Sequence, residues 1–233
     1  MTNANPDRCQ RCGKVPQPSD KFCAECGAFL RDAWVDHRLL LALVHESRGH
    51  SRDAQKELER LIDAEPANVL ANHLLGTLYF HQGMLDRAVE CYEVALRSAP
   101  DFVLGFYDLG VALYHRGNMF AAADAFRRCL TINPDYKAAH YRLALSLFHT
   151  GHLDEALEHY QKAMILTPEY LMAHYHMGVI YERRGEIDKA VREFQKSLDE
   201  GLGEVSSLHH LTAIRAKSNG RLESDRHLER ITE

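Results

Sequence analysis

Missing first are the features that would place this 233-residue chain in a membrane or a secretory route. The longest stretch free of Asp, Glu, Lys and Arg, Pro66 to Leu85, is long enough to span a bilayer. It carries Pro66, Asn68, Asn72, His73, His81 and Gln82, too polar a set for hydrocarbon. The amino terminus, MTNANPDRCQRCGK, has no apolar core of a secretory signal, so the expected compartment is the reducing cytoplasm. Positive charge is not in excess. With 28 Lys and Arg against 33 Asp and Glu, the net charge of -5 gives no global field for phosphate backbones. No G-x-x-x-x-G-K-[ST] loop, Gly-rich dinucleotide turn or G-x-S-x-G elbow occurs, and a non-enzymatic protein is expected. What is present is ordinary globular composition, 45% hydrophobic and 26% charged, which excludes wholesale disorder.

An internal repeat sets the architecture. Pro66, Pro100, Pro134 and Pro168 are each 34 residues apart, as are Gly49, Gly83, Gly117, Gly151 and Gly185, and Ala54, Ala88, Ala122, Ala156 and Ala190. Numbering each unit so that proline falls at position 32 gives five units, 35–68, 69–102, 103–136, 137–170 and 171–204. In the second, Leu75, Gly76 and Tyr79 mark one helix, and Leu85, Ala88, Val89, Tyr92, Ala95 and Leu96 mark another. Glycine at position 15 ends the first helix through a positive φ, and Asp86, Asp154 and Asp188 complement the next macrodipole. Proline ends the second helix, and Asp101 and Asp135 directly after it are expected to cap the next. Small residues at position 20 and position 8 (Ala42, Gly76, Gly110, Ala144, Gly178) let two helix backbones approach.

The pattern resembles the tetratricopeptide repeat family over Val35 to Glu204. The resemblance implies an all-α fold of stacked helix-turn-helix units with a groove that receives peptide segments of partner proteins. Position 4 departs from it, with Arg38, Asn72, Phe106, His140 and His174 where a bulky residue is often found. The first unit departs too, with His45 in place of an aromatic at position 11 and with Leu58 and Leu61 where later units have aromatic or small residues. Residues 205–233 read as a degenerate sixth unit that caps the stack, with Leu208 and Leu211 in one helix and Leu222, Leu228 and Ile231 in another.

Residues 1–31 form a separate module. Cys9-x-x-Cys12 and Cys23-x-x-Cys26 are two knuckles ten residues apart, with Gly13 and Gly27 relieving the turns. The segment resembles short prokaryotic zinc ribbons. Disulfides are disfavoured without a secretory signal, and redox chemistry needs a strand-helix context that so short a segment lacks. One zinc held by four cysteines has no open position, so the metal is expected to be structural. Cys129, at a position that is Ala95 and Ala163 in neighbouring units, reads as a small buried side chain; for Cys91 no partner is identified.

The implied groove is lined at position 5 by His73, Tyr107, Tyr141, Tyr175 and His209, at position 12 by Phe80, Tyr114, Phe148 and Glu182, and at position 13 by His81, His115, His149 and Arg183, with Arg142 beside them. Flat rings with polar tips suit an extended chain or helix of a protein partner. Some family members grip a terminal carboxylate with Lys and Asn, but Leu39, Leu43, Leu74, Leu104 and Asp108 occupy such positions here. Successive repeats, about 10 Å apart, keep His81, His115 and His149 from sharing an ion. His45-Glu46 followed by His50 is set aside as a metal motif, because five residues on a helix turn the second imidazole about 140° away, whereas H-E-x-x-H turns it by about 40°. Two alternatives accompany the adaptor reading. Arg8, Arg11, Lys14 and Lys21 could make the ribbon a nucleic-acid contact, and a groove could accept another copy of the chain as a homo-oligomer.

Overall fold

The computed structural model describes residues 8–9, 11–15, 23, 25–26, 28, 36–166, 171–198 and 206–217. Among these residues there are helices and no strands. In order they are α1 (His37–Ser47), α2 (Ser51–Ala64), α3 (Val69–His81), α4 (Leu85–Ser98), α5 (Val103–His115), α6 (Met119–Ile132), α7 (Lys137–Thr150), α8 (Leu153–Leu166), α9 (Leu171–Arg183) and α10 (Ile187–Ser197), followed by α11 (206–217). None is long and apolar enough to cross a membrane. The chain divides into two compact units, Met1–Thr150 and Gly151–Glu233.

In the first unit α1 pairs with α2, α3 with α4 and α5 with α6, and each pair packs on the next helix along the chain. Each hairpin closes by one backbone device. Gly49, Gly83 and Gly117 take φ of 77°, 76° and 88°, and the residue after each donates its N–H to a carbonyl five residues back: His50 to His45, Met84 to Tyr79 and Asn118 to Leu113. This is a Schellman closure, which glycine adopts without a Cβ penalty.

The helix starts differ from the expectation. Asp101 and Asp135 do not occupy the cap position. The residue directly before the helix is one later, where Asn68 caps α3 by accepting from the Ala71 N–H, and α5 is preceded by Phe102 without a side-chain cap. Phe102 is fully buried and meets His73 edge to face at 5.0 Å. Burying a ring between repeats outweighs a cap worth about 1 kcal/mol.

Position 8 is small for a more specific reason than backbone approach. A Cβ on Gly76 would stand 2.8 Å from the Tyr92 ring, on Gly110 2.6 Å from Phe126, and on Gly178 2.6 Å from Phe194. The glycine makes room for the ring at position 24 of the partner helix. The alanines at position 20 are fully buried throughout. At position 4, polar side chains tie two of the first helices to the loop before them: Asn72 Nδ2 donates to the carbonyls of Pro66 (2.9 Å) and Asn68 (2.8 Å), and His140 Nε2 donates to that of Pro134 (2.8 Å). In the second, fourth and fifth repeats position 4 is thus a buried hydrogen-bonding site, held by Asn72, His140 and His174, which apolar periodicity does not reveal.

In the second unit α9 packs on α8 and α10. On α11, His210 stacks on Phe194 at 4.9 Å, Ser207 Oγ donates to Ser197 Oγ at 3.1 Å, and Leu211 and Ile214 are buried. Leu208, expected in this core, is 54% exposed because Ile214 shares the buried face with Leu211. Leu222, Leu228 and Ile231 lie outside the described residues.

Candidate functional site

The four N-terminal cysteines converge. Cys9 and Cys26 sulfurs are 3.6 Å apart and those of Cys12 and Cys23 3.4 Å, and all four lie within 4.8 Å of one another. These separations exceed the roughly 2.05 Å of a disulfide and approach the edge of about 3.8 Å of a sulfur tetrahedron around an ion with bonds of about 2.3 Å. Backbone bonds shape the knuckles: Cys9 N–H donates to Lys14 O at 2.7 Å, Gly13 N–H to Cys9 O at 2.8 Å, and Cys23 N–H to Ala28 O at 2.8 Å. Burial pushes the Cys9 thiol up, but the backbone of Cys12 and Arg11 and the neighbouring sulfurs outweigh it and hold it at about 7. Burial raises Cys23 and Cys26. The donor set fits a closed, four-thiolate metal site.

The ribbon's basic set is partly engaged. Lys14 pairs with Glu25 at 3.0 Å, Arg8 donates to the Gly13 carbonyl at 3.3 Å and Arg11 to the Cys26 carbonyl at 3.4 Å. Glu25 also accepts from Asn133 just beyond α6. Lys21 lies outside the described residues. Internal pairing competes with phosphate for these side chains. Cys129 is fully buried, and burial, with the Glu25 and Asp108 charges, pushes its thiol up to about 12.

The expected groove residues fall at two sets of positions. At position 5, His73 is buried: its Nε2 bonds the Asp108 carboxylate at 2.8 Å, and its ring meets Tyr92 and Phe102 at 5.5 and 5.0 Å. Tyr107 packs on Phe126 (5.9 Å) and Tyr136 (5.2 Å), and Tyr175 on Phe194 (6.1 Å) and His210 (5.9 Å). Tyr141 is half-buried and His209 exposed. Position 5 therefore contributes to packing through His73, Tyr107 and Tyr175, while Tyr107, Tyr141 and Tyr175 stay as half-buried as the rings at position 12.

Positions 12 and 13 form a surface layer in the first unit. Phe80 meets His115 of the next repeat edge to face at 5.4 Å, and Tyr114 meets His149 at 5.8 Å. Within each repeat Phe80, Tyr114 and Phe148 touch His81, His115 and His149 at 5.6–5.8 Å. The three imidazoles are exposed and the three rings half-buried. Burial pushes the Tyr114 phenol up, opposed by the half-buried Arg142 guanidinium. Beside the ladder is a cavity of about 120 Å³ lined by Thr77, Phe80, His81, Tyr92, Asp108 and Val111. Its polar floor is built from Thr77 Oγ1, which donates to the His73 carbonyl at 3.1 Å and lies 3.2 Å from the Tyr92 hydroxyl. Thr77 and Val111 stand at position 9, on the same stripe as positions 5, 12 and 13, whereas Tyr92 lies on the second helix and Asp108 one repeat plus one residue beyond His73, where the period of the groove stripe does not reach. In the second unit Glu182 bonds His210 at 2.6 Å, and Arg183 is exposed.

Helical hairpins at a 34-residue period, closed by one glycine turn and tied by small-against-aromatic contacts, define a tetratricopeptide repeat array. Family profiles described as tetratricopeptide repeat match residues 39–101, 82–137 and 135–199; the chain belongs to this family. The profiles do not include the four-cysteine segment. Among solved structures, that of MamA is 28% identical with a TM-score of 0.67, covering 71% of this chain and 95% of that one. YrrB, described as a TPR protein with an unusual peptide-binding site, is 23% identical with a TM-score of 0.70, covering 75% and 90%. MamA 41-end from Desulfovibrio magneticus RS-1 is 22% identical with a TM-score of 0.66, covering 70% and 92%. No curated protein matches the chain.

Proposed function

We propose that this protein is a non-enzymatic cytoplasmic adaptor that holds a segment of a protein partner against the ring-and-imidazole face of α3, α5 and α7. Its amino-terminal cysteines hold one structural zinc. The observation that carries the reading is the interlocked ladder Phe80–His115 and Tyr114–His149, beside a polar-floored cavity. Half-buried rings offer flat area, exposed imidazoles offer hydrogen bonds, and the two alternate along the face. Zinc is supported by sulfur separations that suit a tetrahedral ion and by the inability of so short a module to bury an adequate core.

The test avoids position 5, where alanine would also remove repeat packing. Replacing the exposed His81, His115 and His149 together by Ala should abolish crosslinking capture of the partner from native lysate while preserving helical circular dichroism. Charge reversal at exposed Asp124 and Arg127 on α6 should leave capture intact. Undiminished capture by the triple variant would overturn the assignment of this face. Elemental analysis of the purified chain should find zinc that is lost on replacing Cys9 and Cys12.

A further inference from the structure

The turn closing the first hairpin gathers three metal-ligating side chains that no other repeat combines. His45, His50 and Asp53 occupy positions 11, 16 and 19, where the second repeat has Tyr79, Met84 and Arg87 and the third has Leu113, Asn118 and Ala121. On a continuous helix these two imidazoles would point about 140° apart. The helix instead ends at Ser47, Gly49 reverses the chain at φ 77°, and the His50 N–H donates to the His45 carbonyl at 2.8 Å. In a Schellman closure the side chains flanking that bond meet, usually as a hydrophobic pair. Here both are imidazoles, with ring centroids 6.1 Å apart. His50 stands at the start of α2 and makes no side-chain cap bond there, while Asp53, three residues on, shares its face in the first turn.

We propose that His45, His50 and Asp53 form a second metal site, for a borderline divalent transition ion of the Zn(II), Ni(II) or Co(II) class. One ligand atom from each residue lies within 4.8 Å of the other two. Bonds of about 2.0–2.1 Å to a tetrahedral ion call for separations of about 3.3 Å. Side-chain rotation of His50 and Asp53, both exposed, supplies that closing movement while the backbone bond holds the turn. His45 Nδ1 is buried and has no hydrogen-bond partner, the condition of a nitrogen that an ion would satisfy. The Lys56 ammonium, 3.3 Å from Asp53 and exposed, is the competing cation and is readily displaced at the surface. Two imidazoles and a carboxylate match the softness of this ion class better than that of Ca(II) or Mg(II). Three protein ligands leave a position open to water or an outside ligand, unlike the closed cysteine set. Occupation would cross-link the end of α1 to the first turn of α2 and stiffen the first repeat.

Equilibrium dialysis of the full chain against Zn(II) and, separately, Ni(II) tests the site. The readout is the difference between wild type and H50A/D53N, so metal in the ribbon cancels. Wild type should retain one more equivalent than the variant, and the variant's affinity for that equivalent should fall by more than the roughly 10- to 100-fold typical of lost outer-shell contacts. His37→Ala, at another exposed imidazole, should keep the extra equivalent. H50Q alone, with circular dichroism, covers the case in which the double variant folds poorly, and should show the same loss. Equal stoichiometry and affinity in wild type and H50Q, or loss of the equivalent in His37→Ala instead, overturns the proposal.

Discussion

Gly110 illustrates how much one absent methyl group decides. Its position facing the Phe126 ring leaves 2.6 Å for a Cβ, and Phe126 is fully buried with no free direction to move. Gly110→Ala should therefore lower stability by about 1–3 kcal/mol, measured by the denaturant midpoint. Adding Phe126→Leu should return part of the loss, because Ala42 and Leu58 occupy these two positions in the first repeat, both buried; an unaltered midpoint in Gly110→Ala would falsify this packing account. Glu193 provides a residue-scale test by pH. Burial raises its carboxyl, but hydrogen bonds from His174 at 2.6 Å and Lys196 at 3.0 Å outweigh it and hold the value below the ordinary 4.5. A lowered folded value means stability present above the unfolded value and lost as pH falls through the folded one. Glu193→Gln should thus lose less stability than wild type between neutral pH and pH about 3, as chemical denaturation at each pH will read.

Between helices, the His73–Asp108 bond links α3 to α5 beside the Phe80–His115 ring contact. Asp108→Ala leaves a buried imidazole without its partner and should cost about 1.5–3 kcal/mol; a double-mutant cycle with His73→Phe measures the coupling. This is also where the sequence stopped being legible. Proline and glycine spacing located the hairpins because a positive φ and a missing N–H act locally. The aspartates after proline were misplaced as caps by one position, since burying Phe102 between repeats is a tertiary gain that local preference does not contain. Likewise the position-5 tyrosines have the period of a groove lining, and the contacts of Tyr107 with Phe126 and Tyr136 add a packing role that the period does not contain. Periodicity says which residues share a face, and only packing says which of them the neighbouring helix covers. The cysteine cluster was legible throughout because four ligands at knuckle spacing specify their geometry without the rest of the fold.

Across the whole molecule, the proposed zinc site and the helical packing are expected to supply stability separately. Chelating the proposed zinc should expose the four amino-terminal thiols to a titrating reagent while most far-ultraviolet helical signal persists, because buried residues throughout α1–α6 give the hairpins a core of their own; coincident loss of both signals would show one shared core. The glycine turn has another consequence at this scale. The same backbone bond sets Tyr79 beside Met84 and Leu113 beside Asn118, but Tyr79 and Leu113 are 7% and 6% exposed, already committed to the interior. In the first hairpin the matching His45 is only half-buried. An array of identical joints thus has unequal chemical freedom: interior joints must carry side chains that pack, whereas the outermost can exchange a packing residue for a reactive one. New chemistry in such arrays is accessible from the edge inward.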